Sequence, residues 1–168
     1  MTREKLFLWP RRFWILPKEF WESVEDPVLR TYVRNLIQRK GDQLAFVVLF
    51  GSRARGDWTV YSDYDVLIGL NFDDGKRFID RILDYMPEQG TMEVFPYSRS
   101  EWERMFRTWH PLLLEALEYG VVLWDRGDFQ RMREQFRAWR KQGWLKPVEQ
   151  GWQFLASPPQ DADVTEVV

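Results

Sequence analysis

The sequence predicts an α+β fold, in which a mixed sheet of about four strands is flanked by helices and followed by a C-terminal helical extension. Four short segments have strand character, and they are residues 44–50, 63–70, 91–97 and 121–124. Apolar residues at helical spacing occupy the intervals between them. A glycine-serine turn ends the first strand and two aspartates begin the second, so both can line one site only if these strands run antiparallel. This requirement excludes a simple Rossmann arrangement.

The first 25 residues are expected to form an aromatic and basic arm. This arm mixes large rings with positive charges: Trp9, Phe13, Trp14, Phe20 and Trp21 among Arg3, Lys5, Arg11, Arg12 and Lys18. Such a mixture can stack on nucleic acid bases. More often the rings pack on the domain or on a partner while the charges stay in water, and we favour that interpretation.

The first helix and the first strand follow the arm. Asp26-Pro27 provides an N-cap and a first-turn proline, and Gly41 ends the helix. Its apolar positions indicate a core helix without a role in chemistry. The uncharged run 44–50 then has the length and composition of a strand that is covered on both faces.

The turn after this strand has the residues of an anion site. Gly51 lets the backbone approach a phosphate, and the N–H groups that follow Ser52 favour anions at a helix start. Arg53 and Arg55 add positive charge. The lysine of a Walker P-loop is missing, so this is a different kind of phosphate site.

Two carboxylates begin the second strand. Because side chains alternate along a strand, Asp63 and Asp65 project from the same face. Neighbouring carboxylates repel each other unless a cation lies between them, and magnesium is the divalent ion that favours carboxylate and phosphate oxygens. The anion site and the metal site together are what transfer of a nucleotidyl group from a triphosphate requires.

The next helix and strand carry further acidic residues. Residues 76–86 read as a helix with inward-facing apolar positions, Phe78, Ile79, Ile82 and Leu83, which ends before Pro87. Asp73 and Asp74 lie where helix N-caps belong, and we interpret them as structural, with an auxiliary metal contact as the alternative. On the strand 91–97, Glu93 shares a face with Phe95 and Tyr97.

The C-terminal half predicts three more helices and one strand. Ser98 and Glu101 form a capping box, and His110 precedes a proline that separates two helices. His110 has no partner residue for catalysis, so a structural or surface role is favoured. A helix over 112–119 ends at Gly120 and leads into the strand 121–124.

A basic helix is expected after residue 127, as part of an extension over residues 127–156. Its apolar stripe is narrow and consists of Phe129, Met132, Phe136 and Trp139. The stripe can pack on the sheet or face another subunit, whereas contact with RNA or a membrane is less favoured. Residues 157–168 are expected to be disordered, and residues 26–126 to form the main domain.

Composition limits the remaining possibilities. The chain has 168 residues, no cysteine and a formal net charge of −2. One domain fits this length, and neither a disulfide nor a cysteine nucleophile is available. No apolar run approaches the roughly 18 residues of a membrane span, and charges interrupt the N-terminus where a signal peptide is apolar. A cytoplasmic protein is therefore expected.

Three short motifs in fixed order carry a family resemblance. Gly51-Ser52, Arg55-Gly56 and Ser62-Asp63-Tyr64-Asp65 together resemble the signature of the DNA polymerase beta superfamily of nucleotidyltransferases. The chain looks most like the small members called minimal nucleotidyltransferases, and the run EALEYGVVLWDRG extends the resemblance to about residues 26–126. In this family a third carboxylate on the strand after the helix completes the metal site. Glu93 matches that position, where aspartate is commoner; the alternative is a charged residue at an exposed strand start.

The resemblance implies a two-metal mechanism. Asp63 and Asp65 would hold two magnesium ions, for which manganese can substitute, against the triphosphate, and Glu93 would hold the ion beside the acceptor hydroxyl. Gly51 and Ser52 would contact the β- and γ-phosphates, assisted by Arg53 or Arg55. The reaction moves a nucleoside monophosphate from a triphosphate, with ATP as the favoured donor, and forms no covalent enzyme intermediate.

The acceptor is left open between three alternatives. The resemblance suggests a small helical partner protein of HEPN type, in a toxin–antitoxin pair in which the nucleotidyltransferase modifies its partner by AMP transfer. A small molecule such as an aminoglycoside is a second alternative, although such enzymes need a larger acceptor-binding domain. A binding module without turnover is the third, and its mark would be the loss of a metal carboxylate.

Overall fold

The computed structural model describes residues 27–59, 61–88 and 90–160. The predicted arm, the Asp26 cap and most of the predicted disordered tail lie outside these ranges. In chain order the elements are α1 (Pro27–Lys40), a 3-10 turn (Gly41–Gln43), β1 (Leu44–Phe50), α2 (Gly51–Arg55), β2 (Tyr64–Leu70), α3 (Phe78–Tyr85), β3 (Met92–Tyr97), α4 (Arg99–Arg107), α5 (Pro111–Tyr119), β4 (Val121–Asp125), α6 (Asp128–Lys141), β5 (Leu145–Val148) and β6 (Gly151–Phe154).

The predicted strands form one mixed sheet in the order β3-β2-β1-β4. β1 runs antiparallel to both of its neighbours, whereas β2 and β3 are parallel. The expected antiparallel arrangement of the first two strands is therefore confirmed. Every residue of β1 is buried, as its uncharged sequence predicts.

Helices cover both faces of this sheet. α1 and α3 pack on one face, where the core includes Leu36, Val47, Ile68 and Tyr85. α4, α5 and α6 pack on the other, in a core that is rich in aromatic rings such as Phe46, Trp102, Phe106 and Trp139. Two layers of helix thus enclose the central strands and leave the ends of the sheet as the places where polar side chains can meet.

The basic helix α6 packs back on the sheet. Its four apolar residues, Phe129, Met132, Phe136 and Trp139, are all buried, and the ring of Phe129 lies 5.3 Å from that of Phe46. Of the two alternatives for this stripe, packing on the sheet is the one observed. The chain then forms the hairpin β5–β6, which the sequence pattern did not predict. Leu145 is the only fully buried residue in these two strands, so they lack a clear apolar pattern.

The inward face of α3 differs from the prediction. Ile79 and Leu83 are 61% and 73% exposed, whereas Arg81 is 1% exposed and Tyr85 is 3% exposed. Helical periodicity alone assigned the aliphatic residues Ile79 and Leu83 to the core, and it made no prediction for Arg81. The arginine is buried instead because its full set of hydrogen bonds is satisfied inside the protein.

Arg81 connects four segments of the chain. Its Nε and Nη2 donate to the two oxygens of Asp74 at 2.8 and 2.7 Å, and Nη1 donates to Glu101 at 2.7 Å and to the Pro96 carbonyl at 3.0 Å. Glu101 also accepts from the Ser98 N–H at 2.8 Å, which confirms the capping box. Asp73 accepts from the Ser100 N–H at 2.9 Å. Asp73 and Asp74 therefore have structural contacts, but the prediction that they cap the helix is wrong, because α3 begins at Phe78 and its N-cap position is occupied by Arg77.

Replacing Arg81 by methionine should destabilise the protein strongly. The change leaves the carboxylates of Asp74 and Glu101, which are 12% and 27% exposed, without their common partner. Removing one member of a buried ion pair costs about 3 kcal/mol or more. Urea denaturation measures this loss in the free energy of unfolding.

Arg77→Met provides the matched control. The Arg77–Asp80 pair is 79% and 49% exposed, so its loss should leave the free energy of unfolding nearly unchanged. Equal effects of the two substitutions would contradict the role given to Arg81.

The same cluster predicts a pH dependence. Hydrogen bonds from Arg81 hold the pKa of Asp74 below its ordinary value of 3.8. A carboxylate with a lowered folded pKa contributes stability above its unfolded pKa, and this contribution disappears as the pH falls through the folded pKa. Asp74→Asn should therefore be less stable than the wild type at neutral pH, with a difference that shrinks below about pH 4. Thermal unfolding from pH 7 to pH 3 tests this, and a difference that is independent of pH would refute it.

Candidate active site

Three predicted site residues, Gly51, Asp65 and Glu93, lie at one end of the sheet. Phe50, the last residue of β1, pairs with Asp65 on β2, and Asp65 pairs with Glu93 on β3. Paired residues on neighbouring strands project from the same face. The antiparallel order of β1 and β2 is what brings the residue after Phe50, Gly51, to the same end of the sheet as the two acids.

Gly51 and the Asp65 carboxylate are in close contact. A Cβ atom built on Gly51 would overlap Oδ2 of Asp65, and the backbone φ of Gly51 is +72°. Both facts require glycine, because a side chain would collide with the carboxylate and would also strain the left-handed backbone. The structure therefore brings together the glycine turn and one of the two predicted aspartates.

Negative charge is concentrated around Asp65. Burial raises the pKa of its carboxyl group above the ordinary value, and the nearby carboxylates of Glu93 and Asp63 raise this pKa further. The guanidinium of Arg55 acts in the opposite direction. A carboxylate held against two others in this way is stabilised by a cation.

The three acids do not form a complete metal site by themselves. Across residues 27–59, 61–88 and 90–160, no group of three His, Cys, Asp or Glu side chains is arranged to hold a metal ion. Asp63 lies just before β2, which begins at Tyr64. The type of ligand nevertheless fits a divalent ion such as magnesium, which takes few protein carboxylates and keeps phosphate and water oxygens as its other ligands.

Arg53 is engaged by the loop between α2 and β2. Its Nε and Nη2 donate to the Ser62 carbonyl at 3.1 and 2.9 Å. The guanidinium also lies 4.3 Å from the ring centre of Trp58 and 4.4 Å from that of Tyr64. In this arrangement Arg53 supports the residues that lead to Asp63, and its assistance at the phosphates stays a prediction.

Arg55 connects the site to α5. It forms an ion pair with Glu115 and a second one with Asp57 at 3.3 Å. Glu115 could not be recognised from sequence patterns, because 60 positions separate it from Arg55 and no local motif contains it. Glu115 holds the Arg55 guanidinium where its positive charge partly offsets the rise in the pKa of Asp65.

His110 lies at the N-cap position of α5 and is exposed. This agrees with the structural or surface role predicted for it.

None of the helices described here is both long and apolar enough to cross a membrane.

Comparison with known proteins identifies similar sequences and folds. Residues 29–123 match the model of a family described as "Nucleotidyltransferase domain". A protein of Methanocaldococcus jannaschii named "Putative protein adenylyltransferase MJ1305" is 29% identical over 116 aligned residues, and the match covers 64% of this chain and 77% of that protein.

Two crystal structures are among the similar folds. One is of "a putative nucleotidyltransferase from Sulfolobus solfataricus", with 22% identity, a TM-score of 0.40, and coverage of 57% of this chain and 79% of that one. The other is of "the toxin-antitoxin with AMP-PNP", with 16% identity, a TM-score of 0.41, and coverage of 67% of this chain and 86% of that one.

Proposed function

Because the chain belongs to the nucleotidyltransferase domain family, we propose that it transfers a nucleoside monophosphate from a nucleoside triphosphate, with ATP as the expected donor, to a hydroxyl group. The observation that carries this proposal is the contact between Gly51 and Asp65 beside the Asp65–Glu93 pair. This contact supports the proposal because glycine corners commonly accept phosphates and neighbouring carboxylates commonly accept divalent ions.

Each residue has a proposed task in the reaction. Asp63, Asp65 and Glu93 would hold two divalent ions. The charge of these ions would lower the pKa of the acceptor hydroxyl and would neutralise negative charge on the leaving pyrophosphate. Gly51 leaves room for the triphosphate because it has no side chain, and the backbone after it, with Ser52, would contact the β- and γ-phosphates.

The two arginines differ in how they would assist. Arg55 is already beside Asp65 and is held there by Glu115, so it can supply positive charge at the phosphates with little reorganisation. Arg53 would act indirectly, by fixing the loop that precedes Asp63. In the chemical step the acceptor oxygen bonds to the α-phosphorus, its proton is released, and the bond between the α-phosphorus and the β-phosphate oxygen breaks.

We propose a protein as the acceptor. The name of the archaeal relative, a protein adenylyltransferase, supports this choice over a small molecule. A helical partner of HEPN type in a toxin–antitoxin pair is the acceptor that the family resemblance favours. The cytoplasm, where nucleoside triphosphates are abundant, is the expected place of the reaction.

Incubation with labelled nucleotides tests the proposal. The purified chain is mixed with ATP, CTP, GTP or UTP labelled at the α-phosphate, with magnesium, and with or without the product of the neighbouring gene. Label on a protein, strongest with ATP, is the expected result. Label on an added aminoglycoside would replace the protein acceptor by a small molecule. Tight partner binding without any transfer would favour the non-catalytic module.

A further inference from the structure

A groove lies between α1 and the end of α3, on the face of the sheet opposite to Asp65 and Glu93. Its volume is about 760 Å³, and its lining includes Pro27, Val28, Tyr32, Leu83 and Met86. Below it, the Tyr32 hydroxyl donates to the Tyr85 carbonyl at 2.6 Å and ties the two helices together. The groove is therefore a fixed feature of the packing between α1 and α3.

An apolar stripe borders this groove. Ile79, Leu83 and Met86 are 61%, 73% and 54% exposed, and they follow one another at helical spacing on α3 and just after it. Monomeric proteins rarely leave contiguous apolar surface in water unless something binds there. The stripe thus needs a binding partner of apolar character.

The chain itself supplies such a partner beside the groove. At least 26 residues precede Pro27, and Pro27 is part of the groove wall. Among these residues are many large apolar ones: Leu6, Phe7, Leu8, Trp9, Phe13, Trp14, Ile15, Leu16, Phe20 and Trp21. Large apolar side chains are buried in most folded proteins, so these residues need an apolar surface to pack against.

The length of this segment is sufficient. A helix of 14 residues such as α1 is about 21 Å long, whereas 26 residues can extend over about 85 Å. Trp21 is six positions from Pro27, so it can reach a point up to about 20 Å away. A short tether also gives the segment an effective concentration on the order of millimolar at the groove, which a separate molecule would have to match.

We infer that residues 1–26 bind along the groove between α1 and α3, with aromatic side chains of residues 13–21 against Leu83 and Met86. A segment in this position covers the exposed stripe and lies on the face of the sheet opposite to Asp65 and Glu93. The inference goes beyond the proposed reaction and does not depend on it.

Cross-linking of introduced cysteines tests the position of the segment. The chain has no cysteine, so Phe20→Cys with Leu83→Cys forms a unique pair for a short bis-maleimide. The control pair is Phe20→Cys with Gln135→Cys, an exposed residue of α6 on the other face of the sheet. Tethering at the groove should make the first pair react within one chain about tenfold faster than the control. Equal rates, or links only between two chains, would overturn the inference.

Limited trypsin digestion provides a second, independent readout. Arg11, Arg12 and Lys18 are cleavage sites within the segment. Leu83→Gln with Met86→Gln should accelerate cleavage at these sites about tenfold, because a bound segment is protected.

Val148→Gln with Leu155→Gln is the matched control, because it removes exposed apolar side chains elsewhere and should leave the rate of cleavage unchanged. Unchanged cleavage in the first variant, or equal acceleration in both, would refute the inference. Neither assay requires nucleotidyl transfer, so its result is separate from the test of the reaction.

Discussion

Replacing Asp63 and Asp65 together by asparagine is expected to lower nucleotidyl transfer about a thousandfold or more, because the variant keeps the shape of the site but loses the charge that holds divalent ions. The fold should not suffer. The folded state raises the pKa of Asp65, which means that the ionised form is disfavoured there, and an uncharged asparagine avoids this penalty. Unchanged or increased stability combined with lost activity is the signature of a functional rather than a structural carboxylate.

Transfer of labelled nucleotide and thermal unfolding measure the two effects separately. Asp80→Asn is the control for the loss of an acidic side chain, because Asp80 is exposed on α3 and forms an ion pair with Arg77 on the helix surface. The control should retain both activity and stability. If the double variant transferred nucleotide at a rate within a few-fold of the wild type, the assignment of the two aspartates would be wrong.

Replacing Gly51 by alanine is expected to damage both activity and stability. The new methyl group would collide with the Asp65 carboxylate, and the residue would have to keep a φ of +72°. Backbone strain of this kind costs about 1–3 kcal/mol, and the displaced carboxylate adds to that loss. Because positioning errors of about 1 Å can reduce rates by about a hundredfold, we expect transfer to fall by at least that factor.

Gly56→Ala separates the collision from the backbone strain. Gly56 has a φ of +85°, and a Cβ atom built on it meets nothing within 4 Å. This variant should lose about 1 kcal/mol of stability and retain its activity. Urea denaturation and the transfer assay compare the two variants directly. Equal behaviour of Gly51→Ala and Gly56→Ala would show that the contact with Asp65 has no importance for the site.

Local sequence signals predicted a large part of the fold. The uncharged run of β1, the capping box at Ser98 and Glu101, and the proline after His110 each act within a few residues, and each is confirmed. The antiparallel pairing of β1 and β2 also followed from the sequence, because the glycine turn and the aspartates had to meet. Short-range patterns of this kind hold whatever the rest of the chain does.

The remaining features depend on residues that are far apart in the chain. Ile79 and Leu83 are exposed because Arg81 occupies the inward side of α3, and Arg81 can do so only with Asp74 and Glu101 beside it. Arg55 forms an ion pair with Glu115 on α5, which comes after β2 and β3 in the chain. Periodicity does not encode such partnerships, so the sequence indicated that Gly51 and Asp65 lie together but not the way in which the arginines are held.

The most direct test of the account is a crystal structure of the chain with magnesium and an ATP analogue that cannot be cleaved between the α- and β-phosphates. We predict that the triphosphate lies against Gly51 and Ser52, with magnesium bound between its oxygens and the carboxylates of Asp63 and Asp65. A nucleotide bound at any other surface, with these carboxylates directed away from it, would contradict the account.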